Sequence, residues 1–289
     1  MSSNRIGSSS VPVSVTLASA GSTRGLSSVA SLARPRYRRP CGRTRVDSGA
    51  GRVSRVSEPQ VRAAAVVLAS GAGTRVGSAT NKVYLPLAGR PLLHWSLDAF
   101  AGLPGIAAVV LVARPQDQDL AETAASAAGA ELVHGGSSRQ ESELHALRHL
   151  AGRIRTGEID TVLIHDGARP LVGPELIAEV LRTVAEHGGA VPGLLADDVE
   201  AASADGTALA PTPPGRMVKA QTPQGFRAAE LLAVYERAAA EGFTGTDTAS
   251  CVERFSDLPV HWVPGDQRNL KITYPHDLVV AEGLLAAGG

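Results

Sequence analysis

AAAVVLASGAGTRVGSATNKVY, residues 63–84, decides the fold. Seven small or branched apolar residues, Ala63 to Ala69, run into a turn of Ser70, Gly71, Ala72 and Gly73, and that turn delivers Arg75 and then Lys82. An uninterrupted apolar run closed by glycine is the pattern of a strand buried on both faces of a parallel sheet. Glycines just past such a strand let backbone N–H groups close around phosphate oxygens, where a Cβ would block the approach. The two cations supply the charge that a polyphosphate needs, so the stretch reads as a nucleoside triphosphate site. On this loop alone an ordinary strand-to-helix turn with a solvated arginine and lysine is the alternative.

Two commoner glycine loops do not fit. The dinucleotide fingerprint spaces its glycines G-x-G-x-x-G and places an acid about 20 residues on. Here Gly71, Gly73 and Gly77 give G-x-G-x-x-x-G, and residues 89–97 hold Arg90 and His94 but no acid. A Walker loop requires Gly-Lys-Ser/Thr, whereas Lys82 follows Asn81.

The remaining composition narrows the class. The 289 residues are 44% hydrophobic but only 3% aromatic, so the core is built from aliphatic layers. Zero formal net charge gives no general argument for nucleic acid or an acidic membrane surface. No apolar stretch approaches the ~18 residues of a membrane span. Cys41 and Cys251 are too few and too far apart for a disulfide framework or zinc site, which fits a reducing cytosol. Charge is unevenly distributed: residues 1–60 carry ten arginines against Asp47 and Glu58, with no periodic apolar face. This leader reads as a disordered tail or a misplaced start, with an Arg- and Ser-rich transit peptide as the third reading. The domain proper is residues 61–289.

Outward from the first strand, strand and helix alternate, as in a doubly wound α/β domain. A helix is expected over 91–101 and strands at 106–112 and 131–134, with a helix from Pro115 to Ala128 between them. Gly135 to Ser142 (GGSSRQES) is a second glycine turn, before a helix over 139–151. Strand 161–165 runs into Asp166-Gly167-Ala168-Arg169-Pro170. A carboxylate at a strand's carboxyl end beside an arginine is either a plain ion pair or a metal and phosphate site. A helix from Pro174 to His187 and a strand over 189–195 follow. Residues 197–215 lose apolar periodicity, and Asp205-Gly206 is a hairpin signal within this arm. Helices over 227–241 and from Asp247 to Phe255, a strand over 260–263, a return to the sheet over 269–273 and a helix from Pro275 complete the chain.

Taken together, ASGAGTR with NKVY, GGSSRQES, HDGARP, AQTPQGF, TDTAS and NLKITYPHDL resemble, in this order, the bacterial 2-C-methyl-D-erythritol 4-phosphate cytidylyltransferases of non-mevalonate isoprenoid synthesis. The resemblance spans about residues 61–286, and the ribitol-5-phosphate cytidylyltransferases are a sister group. It implies a Rossmann-like nucleotidyltransferase fold, with a mostly parallel sheet, helices on both faces and a protruding β-arm. It further implies CTP and a polyol phosphate as substrates, magnesium as cofactor, and a homodimer exchanging the 197–215 arm. By residue, it implies that Ser70, Gly71 and Gly73 wrap the triphosphate. Arg75, Lys82 and Lys271 would neutralise the reacting phosphates, Gly136 and Ser142 face the cytosine or ribose, and Thr222 and Thr246 line the pocket. Asp166 would orient a metal, directly or through water, and Arg169 would meet a phosphate. The arm departs from the family: Asp197-Asp198-Val199-Glu200 stands for Asp-Thr-aliphatic-Lys, and Pro214 for an arginine, with Arg216 the candidate replacement. Another polyol phosphate acceptor, and a nucleotide-binding protein without turnover, are the alternatives on these residues.

Overall fold

The computed structural model describes residues 61–71, 81–203, 205–210, 215–245 and 247–287. Gly73, Arg75, Pro214, Thr246 and the 1–60 leader lie outside the described residues.

The opening run forms β1 (Ala63–Leu68), with five of its six residues buried. A 3-10 turn, Lys82–Tyr84, leads to the short hairpin of β2 (Pro86–Leu87) and β3 (Arg90–Pro91), then α1 (Leu92–Asp98). β4 (Ile106–Ala113), a 3-10 turn at Pro115–Asp117, α2 (Gln118–Ala128), β5 (Glu131–His134), α3 (Arg139–Arg155), β6 (Thr161–Asp166), α4 (Pro174–His187) and β7 (Gly189–Leu195) follow. The arm holds β8 (Ala201–Ala202) and β9 (Leu209–Ala210), paired antiparallel around Gly206, whose φ of 71° suits glycine. β10 (Val218–Ala220), β11 (Gln224–Arg227), α5 (Ala228–Ala240), α6 (Thr248–Phe255), β12 (Val260–Pro264) and α7 (Pro275–Ala287) end the described chain.

β5, β4, β1 and β6 lie side by side and parallel, with Leu68 of β1 level with Val112 and Asp166. The chain builds outward from β1 through β4 to β5, then returns along α3 to start β6 on the other side of β1. The sheet therefore reverses its direction of growth between β1 and β6. In open α/β sheets such a switch point opens a crevice at the carboxyl ends of the strands. β11 runs antiparallel between β6 and β7, and β10 pairs with the later half of β7.

Side chains alternate across β1. Ala63, Ala65 and Val67 face the layer of α1, α2 and α4, while Ala64 and Val66 face α3, α5 and α6. Each fully buried Val or Leu in these layers contributes about 1.5–3 kcal/mol. Gly167 is required by this closeness, since a Cβ there would sit 2.9 Å from the Leu68 carbonyl oxygen. In a third, smaller cluster, Leu87, Leu92, Ile272 and Ala281 dock α7 under the β2–β3 hairpin.

Most expected elements appear within a few residues of their expected ends. Residues 269–273, expected in the sheet, lie outside it: a bend at Asn269 leads into irregular chain, and the Ile272 N–H donates to the Ala168 carbonyl at 2.8 Å. Buried Asn269 and Ile272 anchor this segment on either side of Lys271, whose side chain stays 39% exposed.

Candidate active site

A cavity of about 590 Å3 opens at the switch point, lined from the carboxyl ends of four parallel strands. β1 contributes Ser70 and Gly71, β4 Arg114, β5 Gly136 and Arg139, and β6 Asp166. Lys82 comes from the 3-10 turn that follows β1, and Lys271 from the irregular segment before α7. Among the described lining residues four are cationic, and Asp166 is the one acid. That excess suits a polyphosphate.

Asp166 is the hub. Lys271 Nζ lies 2.9 Å from its Oδ2, Arg139 Nη1 meets its Oδ1, and Arg169 Nε lies 3.5 Å from Oδ2. Burial alone would raise its pKa, but Arg139 and Lys271 outweigh that and hold the carboxyl well below the usual range. Behind it, the Thr222 hydroxyl accepts the Asp166 backbone N–H at 3.0 Å and lies 3.1 Å from His165 Nδ1. Burial pushes the His165 pKa down to about 4. The imidazole is therefore neutral at pH 7: Nδ1 accepts from Thr222, and Nε2–H donates to the Arg169 carbonyl at 3.1 Å.

The Lys82 turn is fixed by its N-cap. Asn81 Nδ2 donates to the Ala69 carbonyl at 2.8 Å and to Asp117 at 3.1 Å, and Asn81 Oδ1 accepts from the Val83 N–H. Asp117 in turn takes a bidentate pair from Arg114 at 2.7 and 2.8 Å. One buried carboxylate thus ties the end of β4 to the turn that carries Lys82. Across the cavity the Ser142 hydroxyl accepts from Ser70 at 2.9 Å and from the Gly136 N–H at 3.1 Å, and donates to the Ser138 carbonyl. A Cβ on Gly135 would sit 2.7 Å from Ser70 Cβ, so the second glycine turn packs directly on the first loop.

Of the residues singled out in the sequence, Ser70, Gly71, Lys82, Gly136, Asp166 and Lys271 meet at the cavity. Ser142 and Thr222 stand one layer behind, 1% and 4% exposed, where they orient Gly136, Ser70 and Asp166. Arg169 is also withdrawn: its guanidinium donates to the carbonyls of Asn269 at 2.7 Å and Ala220 at 3.4 Å, bracing the segment that carries Lys271. Arg216 does not line the cavity; it lies on the arm, 3.6 Å from Asp197, with both side chains largely exposed. Arg114 and Arg139 were missed as site residues. Arg114 stands two residues past the expected strand 106–112 and directly after β4, a usable signal. The pairing of Arg139 with Asp166, 27 residues away, leaves no local one.

A mostly parallel sheet with a switch-point cavity and converging cations defines a nucleotidyltransferase of Rossmann-like fold. The family model of 2-C-methyl-D-erythritol 4-phosphate cytidylyltransferase (IspD) matches residues 63–287, and the chain belongs to that family. The enzyme so named from Cereibacter sphaeroides is 41% identical over 225 residues, covering 77% of this chain and 96% of its own. That from Acidobacterium capsulatum is 38% identical over 234 residues, covering 76% and 96%. The crystal structure of the Thermus thermophilus enzyme of that name superposes with a TM-score of 0.62 at 31% identity, over 78% of this chain and 99% of its own. The 4-diphosphocytidyl-2C-methyl-D-erythritol synthase of Anaerococcus prevotii gives 0.66 at 26%, with the same coverage. The chain is accordingly a cytidylyltransferase.

Proposed function

We propose that this enzyme transfers CMP from CTP to the phosphate of 2-C-methyl-D-erythritol 4-phosphate, releasing pyrophosphate, in isoprenoid biosynthesis. The observation that carries the reading is the convergence of Lys82, Arg114, Arg139 and Lys271 on a cavity built around one ionised carboxylate at the switch point. A monoester oxygen forms a bond to the α-phosphorus as the bond to pyrophosphate breaks. The nucleophile is already anionic, so the protein's task is to bring two anions together and neutralise them. Asp166 holds the Lys271 ammonium where the acceptor phosphate and the α-phosphate would meet. Lys82, capped by Asn81, faces the same cavity from the triphosphate loop. Arg75, in the loop outside the described residues, adds a further cation in this reading.

Magnesium is the cofactor we assign. No cluster of three His, Cys, Asp or Glu able to hold a metal occurs among the described residues. The Asp166 carboxylate is a hard oxygen donor lining the cavity and would be the residue to hold the cation, in exchange for one of its ion-pair partners. When bound, magnesium supplies charge neutralisation to the departing pyrophosphate.

We further assign a cytoplasmic homodimer joined through the 197–215 arm. Leu209 is 76% exposed there, and Val199 and Met217 are exposed beside it. Among the described residues no helix is long and apolar enough to cross a membrane. One observation favours another polyol phosphate acceptor: the arm offers Asp197, Asp198 and Glu200, and its Arg216 lies against Asp197. Acceptor-dependent pyrophosphate release from CTP separates the two readings.

A further inference from the structure

Glu143 stands on α3, one turn after Arg139, and is 1% exposed within an otherwise apolar layer. Each of its carboxylate oxygens is occupied. Oε1 lies 2.8 Å from Arg139 Nε and accepts the Thr248 hydroxyl at 3.1 Å, while Oε2 accepts the Tyr235 hydroxyl. α3, α5 and α6 therefore meet at this one acid. Stability does not account for it. Burying an ion pair in an apolar layer is commonly no better than filling the space with hydrocarbon, and Arg ahead of Glu at i,i+4 is the weaker orientation on a helix. What the acid does accomplish is geometric. The Arg139 guanidinium lies between two carboxylates, in ion-pair contact but without a hydrogen bond to Glu143 through Nε and hydrogen-bonded to Asp166 through Nη1, and it forms part of the cavity wall.

We propose that Glu143 is a positioning residue that fixes Arg139 on the cavity wall against Asp166, with the hydroxyls of Tyr235 and Thr248 fixing Glu143 in turn. The inference rests on the nucleotidyltransferase reading. Burial raises the Glu143 pKa against the pull of Arg139 and the two hydroxyls, the direction expected of an acid held in an apolar layer. Arg139 lines the cavity, and Glu143, which does not, acts only through it.

The test is a double-mutant cycle on the full-length enzyme. Steady-state turnover of CTP with 2-C-methyl-D-erythritol 4-phosphate is measured for wild type, E143L, R139M and the double variant, each with its thermal unfolding midpoint. E143L is expected to lower kcat/KM for CTP about tenfold when assayed well below its unfolding midpoint, which falls because the buried hydroxyls of Tyr235 and Thr248 lose their acceptor. On the R139M background the same substitution is expected to change kcat/KM less than about twofold, because contacting residues acting through one group are not additive. Wild-type kcat/KM in E143L, or an E143L effect undiminished in R139M, overturns the proposal. If E143L does not fold, E143Q decides: it keeps partners for both hydroxyls and drops the charge, so loss of kcat/KM is expected and an unchanged value overturns the proposal. Wild type inactive with every polyol phosphate tried removes the transferase reading and this inference together; wild-type turnover with an additive cycle removes the inference alone.

Discussion

Lys271 is the side chain whose removal separates chemistry from folding most cleanly. Its ammonium is half-exposed and bonded to Asp166, and that carboxylate keeps Arg139 and Arg169 when Lys271 is gone. Lys271→Met therefore leaves no uncompensated buried charge, and its unfolding midpoint is expected to stay within a few degrees of wild type. Transfer is expected to lose at least about 2–3 kcal/mol of transition-state stabilisation, roughly a hundredfold in kcat, as when one preorganised donor is removed. Steady-state kinetics beside calorimetry check both halves. That Lys271 belongs at the cavity was legible in the NLKITYPHDL motif. Its mounting was not: the segment was expected in the sheet, and only the fold shows buried Asn269 and Ile272 holding it outside the sheet with Lys271 at the cavity. Arg169 was legible as an arginine beside a carboxylate, and its role as a brace emerges only from carbonyls 51 and 100 residues away.

At the scale of elements, β6 is joined to the link between β10 and β11 through His165 and Thr222. His165 is fully buried and its pKa lies near 4 instead of 6.5. Between these values the unfolded chain binds a proton that the folded chain does not, so stability is full above about pH 6.5 and falls as the pH drops toward 4. The loss attributable to His165 is at most about 3 kcal/mol. Glu143, with its raised pKa, opposes it in part, and Asp166, with its lowered pKa, adds to the loss only below about pH 4. His165→Asn removes the imidazole, so its unfolding free energy is expected to fall less than that of wild type between pH 7 and pH 4.5; chemical denaturation at the two pH values measures the difference. The parallel strands were legible because apolar runs such as 63–69 and 161–165 are long and bounded by glycine or a charged turn. The antiparallel β10 and β11 were not. Val218 to Arg227 has no apolar run, and its place in the sheet is set by pairing with β7 and β6.

At the scale of the molecule, the arm is the feature least explained by a single chain. Its hairpin presents Leu209 to solvent, away from either main core layer. Sedimentation is expected to show a dimer that Leu209→Asp weakens; a fully active wild-type monomer would contradict the exchange of arms. The arm also carries Asp197, Asp198 and Glu200, so the acceptor is where the proposed function is most exposed to test. The most direct measurement is pyrophosphate release from CTP and magnesium with 2-C-methyl-D-erythritol 4-phosphate, ribitol 5-phosphate and other polyol phosphates in parallel. Selective turnover of 2-C-methyl-D-erythritol 4-phosphate is expected. Turnover of another polyol phosphate in its place, or CTP binding without pyrophosphate release from any, would contradict it.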